Sequence, residues 1–212
     1  MRVGIDAASR SLAYTAPYWP GGTVFVSVVD PGVGTPRKSV VLKTKSGHYF
    51  VTPDNGTLTD VAERLGVSAI REIDESVNRI KGSELSHTFH GRDVYSYTAG
   101  RHAAGVISYE EVGPLLKAEV VKLERPDAKI KNGPVSGYIT SGQSRLGNVA
   151  ANIKNTFFNK LGIKEGQNVQ VTMKQNGKTK WEGTIPYVRT FGAVPLGEPL
   201  LFVNSSYHMS VV

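Results

Sequence analysis

Three β-branched runs crowd into residues 23–52, "TVFVSVVD", "SVVLKT" and "HYFVT", and they commit the first half of the chain to a sheet. The first run is almost continuously apolar, the pattern of a strand buried on both faces. "KSG" (45–47) supplies a turn between the other two. Helical patterns surround them. Ile5, Ala8, Leu12 and Ala16 fall near helical spacing, and "APYWPGG" (16–22) stops that helix, since two prolines and two glycines cannot continue it. "PDNGTLTDVAERLG" (53–66) reads as a loop entering a second helix, with Leu58, Val61, Ala62 and Leu65 as its apolar stripe and Gly66 as its C-cap. "AIREI" (69–73) is a short strand. "HTFHGRDVYSYTAGRHAAG" (87–105) is a loop running into a helix, and "SYEEVG" (108–113) has the Ser-x-x-Glu spacing of a capping box. Residues 1–125 are therefore expected to form an α/β domain, an open and largely parallel sheet with flanking helices.

The texture changes at "ERPDAKIKNGP" (124–134), a polar, proline-bearing candidate linker. Beyond it stand short strands, "VSGYIT", "NVAANI", "NVQVTMK", "KWEGTI" and "LLFVNS", and "QNGK" (175–178) carries the Asn-Gly signal of a tight hairpin. Residues 126–212 are expected to be a small all-β, barrel-like domain. Composition narrows the function. The 212 residues contain no cysteine, which removes disulfides, thiolate metal sites and thiol nucleophiles together and fits a reducing, cytoplasmic setting. The net charge is +7, but the lysines are scattered and do not alternate with aromatics, so a nucleic-acid partner is not expected. No apolar run approaches the length that spans a bilayer, and no signal-peptide pattern opens the chain, so no membrane partner is expected. No two histidines have a ligand pair's spacing beside a carboxylate, which argues against a metal site.

"VVDPGVGTPRK" (28–38) places Asp30 where a strand ends and spends Pro31, Gly32 and Gly34 on backbone control before Arg37. Two readings fit the spacing: a turn with a surface ion pair, or a site beyond the carboxyl end of a strand, where open α/β sheets bind ligands. "TFHGRD" (88–93) puts His90 before Gly91 at a loop entering a helix. That histidine either packs at the helix start or handles a proton near neutral pH. His48, His87, His102 and His208 have no comparable setting. "PDNG" is most simply a turn in which Asp54 or Asn55 caps the next helix, the other reading being contact with a ligand. Asn148, after Gly147, either sits at a bulge or reads a base edge through its amide. Phe191 and Ser205 alone would be core and turn.

Taken together, "APYWPGGTVFVSVVDPGVGT", "PDNGTLT", "FHGRD", "GNVAANI" and "NSS" resemble, in the same order, the S-adenosylmethionine (SAM) hydroxide adenosyltransferases, relatives of the bacterial fluorinase and chlorinase. The resemblance implies an N-terminal α/β domain, a C-terminal β-barrel domain and a homotrimer with sites between subunits. It implies attack of water on the ribose C5′ of SAM to give adenosine and methionine, with no cofactor. It assigns the family's catalytic set to Asp30, Arg37 and His90, and substrate contacts to Phe89, Gly91, Asn148 (adenine edge), Phe191 (packing on adenine) and Ser205 (methionine end). The fluorinase has tyrosine at the position of Asp30 and Tyr-Ser in place of His90-Gly91, and the chlorinase lacks the Asp–His pair; hydrolysis is therefore preferred over halogenation. The chain departs from the family at Gln143, Leu146 and Ser206. The family's opening strand, its "TTDFG"-like loop that holds the ribose, and the end of its final strand have no counterpart in these residues. A fragment or decayed copy with weak or no turnover, retaining only nucleoside binding or assembly, is the alternative expectation.

Overall fold

The computed structural model describes residues 2–141 and 147–212. The chain divides into two compact units, Met1–Glu124 and Arg125–Val212.

The first unit is built on four strands: β1 (Val24–Val26), β2 (Ser39–Thr44), β3 (Tyr49–Pro53) and β4 (Val67–Glu72), in the spatial order β1-β3-β2-β4. Only β1 and β3 run parallel; β2 is antiparallel to both β3 and β4. The sheet is thus mixed, not largely parallel. The cause is local. The turn at Lys45–Gly47, with Gly47 at φ +82°, returns the chain at once beside β2, and a parallel neighbour would need a long crossover. The expected doubly buried first strand is also corrected. Its regular part is three residues at the sheet margin, and Val26 and Val28 are exposed. An edge strand has one open side, so its apolar run is only partly covered.

Alternation along the central strands divides the core. Val41 and Val51 point to one face, where they meet Val94, Tyr95, Ala99, Tyr109 and Val112. Val40, Leu42 and Phe50 point to the other, against Ala13, Ala16, Leu58 and Val61. Helices α1 (Arg2–Thr15) and α2 (Thr59–Leu65) supply the second layer. The first layer comes from a π-helical turn, Gly91–Ser96, that runs straight into α3 (Tyr97–Ala103). Each fully buried aliphatic side chain contributes about 1.5–3 kcal/mol by leaving water. No side chain of the "PDNG" stretch caps α2. Ser9 of α1 does so from outside, its Oγ accepting the Asp60 N–H at 2.9 Å. Asn55 instead accepts from Thr57 and donates to the Val29 carbonyl at 2.9 Å, and Asp54 accepts the Val121 N–H. The capping box forms as read, with Ser108 N–H donating to Glu111 and Glu111 N–H to Ser108 Oγ.

The second unit contains β5 (Lys129–Ile130) and β6 (Val135–Ser136) as one small pair. Strands β7 (Ile139–Ser141), β8 (Val149–Lys154), β11 (Leu201–Val203) and β12 (His208–Val211) form an antiparallel sheet ordered β11-β12-β8-β7. Strands β9 (Asn168–Gln175) and β10 (Lys178–Pro186) make a hairpin whose Asn176 and Gly177 both have positive φ, as a type I′ turn requires. Phe158, Ile185, Leu201 and Met209 form the core. Among the described residues the sheets do not close into a barrel. The hairpin meets the larger sheet at a single bridge, Tyr187 with Leu201, and a helical turn α4 (Asn155–Phe158) interrupts the β architecture. Among the described residues, no helix is long and apolar enough to cross a membrane.

Candidate active site

The chain leaves the sheet margin after β1 and turns twice on itself. Val33 N–H donates to the Asp30 carbonyl and Thr35 N–H to the Gly32 carbonyl, and Gly34 takes a φ of +77° that other residues avoid. This folds Arg37 back onto Asp30. Arg37 Nε donates to Asp30 Oδ1 at 2.9 Å and Nη2 to Oδ2 at 2.5 Å, a two-pronged pair. Their side chains are only 11% and 5% exposed, so this is a buried pair and not the surface pair that spacing alone allowed. A ring of hydrogen bonds closes around it. Arg37 Nη1 donates to Ser39 Oγ at 2.9 Å. Tyr95 Oη lies 3.2 Å from both Ser39 Oγ and Asp30 Oδ2. A carboxylate only accepts, so the tyrosine proton goes to Asp30 and the serine proton to Tyr95. Burial pushes the Tyr95 hydroxyl well above the usual tyrosine range, which keeps it a donor. Sequence reasoning missed Ser39 and Tyr95. The available signal was Tyr95 standing five residues past His90, where the wide π-turn carries it inward.

His90 opens that turn. Its Nδ1 lies 3.1 Å from Arg37 Nη2, so Asp30, Arg37 and His90 converge although 53 residues separate the arginine from the histidine. On the other side, His90 Nε2 lies 3.1 Å from Arg79 Nη2. Arg79 is buried and paired with Glu75 at 2.8 Å, and Glu75 Oε1 is 3.9 Å from His90 Nδ1. Burial holds His90 below the usual imidazole range; Glu75 and Asp30 oppose this, while Arg37 and Arg79 add to it. Arg79 and Glu75 were also missed, and so was His87, whose Nδ1 is 3.4 Å from Arg79. They lie in an irregular segment with no periodicity to mark them.

Gly91 is buried, and a Cβ there would stand 2.6 Å from Val28 Cγ1. The glycine is required by this close approach of the loop after β1. Phe89 is exposed, with the Arg92 guanidinium over its ring at 4.8 Å. Asn148, Phe191 and Ser205 of the second unit line one open cavity of about 350 Å³, together with Arg189, Phe202 and Asn204. Phe191 is 51% exposed and packs against Phe202 in an edge-to-face pair with ring centroids 4.9 Å apart. Asn204 shapes the "NSS" turn by accepting from the Ser206 and His208 N–H groups. Asn152, the other strand asparagine, is structural: it accepts from Tyr138 N–H and donates to the Pro126 carbonyl. Gln143 and Leu146 lie outside the described residues.

Known proteins share this arrangement of sequence. The chain is 42% identical over 138 residues to an (R)-S-adenosyl-L-methionine hydrolase of Methanocaldococcus jannaschii, a match covering 65% of this chain and 45% of that protein. It is 33% identical over 206 residues to a protein of the same name from Salinispora tropica, covering 94% and 70%. It is 28% identical over 232 residues to a fluorinase of Actinoplanes sp., covering 98% and 76%. The chain thus spans less than half of the archaeal hydrolase it matches. A crystal structure of an uncharacterized conserved protein from Thermotoga maritima superposes with a TM-score of 0.85 at 36% identity, covering 99% of this chain and 76% of that one. Residues 2–113 match the family model for the SAM hydroxide adenosyltransferase N-terminal domain and residues 145–212 that for the C-terminal domain, and the chain belongs to the SAM hydroxide adenosyltransferase family.

Proposed function

We propose that the chain is a SAM hydrolase in which Asp30, Arg37 and His90 hold and activate one water molecule. The observation that carries this is the convergence of those three side chains, within hydrogen-bond distance of one another in sequence order, on a largely buried site. Water, with a pKa of about 15.7 in bulk, is the weak partner. A positioned base takes its proton as the C5′–O bond forms, and the C5′–S bond breaks with its electron pair going to sulfur. The sulfonium leaves as a neutral thioether, so no general acid and no cofactor are required. Arg37 aims the carboxylate and stabilises developing hydroxide character. His90, which burial holds below the usual imidazole range, is one candidate for that base and Asp30 the other.

The cavity lined by Asn148, Phe191 and Ser205 is the candidate seat of the nucleoside, with Phe191 offering a stacking face. Phe89 and Gly91 border the reacting end. Hydrolysis is favoured over halide transfer because a halide needs no base, and two of the relatives described above are named hydrolases. A homotrimer with sites between subunits and a cytoplasmic location complete the proposal, on family membership and the lack of cysteine.

The test is incubation of the chain with SAM in ¹⁸O-water. Adenosine carrying the label at its 5′-oxygen, formed with equimolar methionine and lost in Asp30→Asn and His90→Ala, is expected. A 5′-halo product in halide buffer, or adenosine release indifferent to both substitutions, overturns the reading.

A further inference from the structure

Five charged or titratable groups stand in a row through the site: Asp30, Arg37, His90, Arg79 and Glu75. Each end is a carboxylate–guanidinium pair, and the imidazole lies between the two cations, with 3.1 Å from each ring nitrogen to a guanidinium nitrogen. A guanidinium has donors only. A neutral imidazole can accept from one of them through its single lone pair. An imidazolium would point two N–H groups at two donors and set a third positive charge between two others. Arg79 cannot easily move aside. It is 9% exposed, and Glu75 holds it through Nη2 at 2.8 Å and Nε at 3.3 Å.

We infer that Arg79, clamped by Glu75, is a positioning residue that fixes the orientation of the His90 ring opposite Arg37 and adds to the burial that disfavours its protonation. The inference rests on the proposed hydrolase only for its catalytic meaning; its electrostatic content stands alone. The groups facing His90 are Asp30 and Arg37 from the loop after β1, Glu75 and Arg79 from the segment after β4, His87 from its own loop, and Asp93 and Tyr95 from the π-turn. Of these, Arg37 is already tied to Asp30, so Arg79 is the cation whose removal leaves that pair intact. Its partner Glu75 acts in the opposite sense, as the carboxylate that favours the charged ring. For the reaction, a neutral ring adds no positive charge beside a sulfonium substrate.

The experiment is an NMR titration of the His90 ring in the full chain, assigned against His90→Asn, in wild type, Arg79→Met, Arg79→Lys and Glu75→Gln. Arg79→Met is expected to raise the His90 midpoint by about one pH unit or more. Arg79→Lys, which keeps the charge, should leave it near the wild-type value. Glu75→Gln should lower it. Purely structural damage would not give shifts of opposite sign. An unchanged midpoint in Arg79→Met, or shifts of the same sign in Arg79→Met and Glu75→Gln, overturns the inference. If Arg79→Met does not fold, Arg79→Gln takes its place, with the same upward shift expected and an unchanged midpoint equally fatal. The acid limb of kcat/KM for SAM should follow the NMR midpoint in each variant. Midpoints that move as expected while the limb stays fixed would sink His90 as the catalytic base and leave the role of Arg79 standing.

Discussion

Arg37→Met isolates the ion pair on which the site depends. The substitution keeps much of the aliphatic volume and removes four polar contacts, two to Asp30 and one each to Ser39 and His90. Asp30 is then left 5% exposed with Tyr95 as its remaining side-chain donor. Breaking a buried pair from one side costs about 3–5 kcal/mol, because the desolvated charge that remains has lost its compensation. An exposed pair would cost about 0.2–1 kcal/mol. The two cases are well separated. Asp30→Asn should cost a similar amount for the mirror reason, whereas the double variant strands neither charge and should cost less than either single. Urea denaturation followed by tryptophan fluorescence measures this. The two tryptophans, Trp19 and Trp181, fall one in each unit, so a Trp181→Phe background reports on the first unit. A cost below about 1 kcal/mol for Arg37→Met, or single costs that simply add in the double variant, would refute the reasoning.

Gly91→Ser forces a Cβ to 2.6 Å from Val28 Cγ1 and should destabilise the first unit by about 1–3 kcal/mol; adding Val28→Ala should recover most of the loss in thermal melts, and no recovery would show that the clash lies elsewhere. Phe191→Ala should weaken adenosine binding roughly tenfold, the value of about one stacked ring, in isothermal titration, while unchanged affinity would show that this cavity does not hold the nucleoside. Because burial holds the folded His90 midpoint below its unfolded value of 6.5, the unfolded chain binds the proton first on acidification. The stability His90 contributes is therefore complete above pH 6.5 and declines as pH falls toward the folded midpoint. His90→Gln lacks this component, so its stability relative to wild type should improve between pH 7.5 and pH 5.5; a constant or opposite difference contradicts the assigned sign.

Much of this was legible in the sequence, and for physical reasons. The helices of the first unit announced themselves through periodicity, and the buried residues Ile5, Leu58 and Val61 lie on the expected stripes. The Asn-Gly hairpin and the Ser-x-x-Glu capping box were readable because each rests on short-range backbone chemistry. The direction of neighbouring strands was not legible. An apolar run such as "TVFVSVVD" looks the same in a central parallel strand and at a partly covered margin, since the difference lies in what stands beside it. In the site, Asp30, Arg37 and His90 were found because glycines, a proline and a familiar motif surround them. Ser39, Tyr95, Glu75 and Arg79 serve by completing contacts that span 56 residues for Ser39 with Tyr95 and 11 for Arg79 with His90. Apart from the spacing of Tyr95 from His90, nothing in their immediate neighbours signals such partners.

The placement of β1 has a consequence for how the molecule breathes. A three-residue strand bonded on one side opens more readily than β2, which is bonded on both sides and next to which Arg37 stands. The Asp30 carboxylate hangs from the looser of the two, and the Arg37 guanidinium from the firmer. The bonds between them therefore act as a latch across a seam, fastening the border of the sheet to its middle.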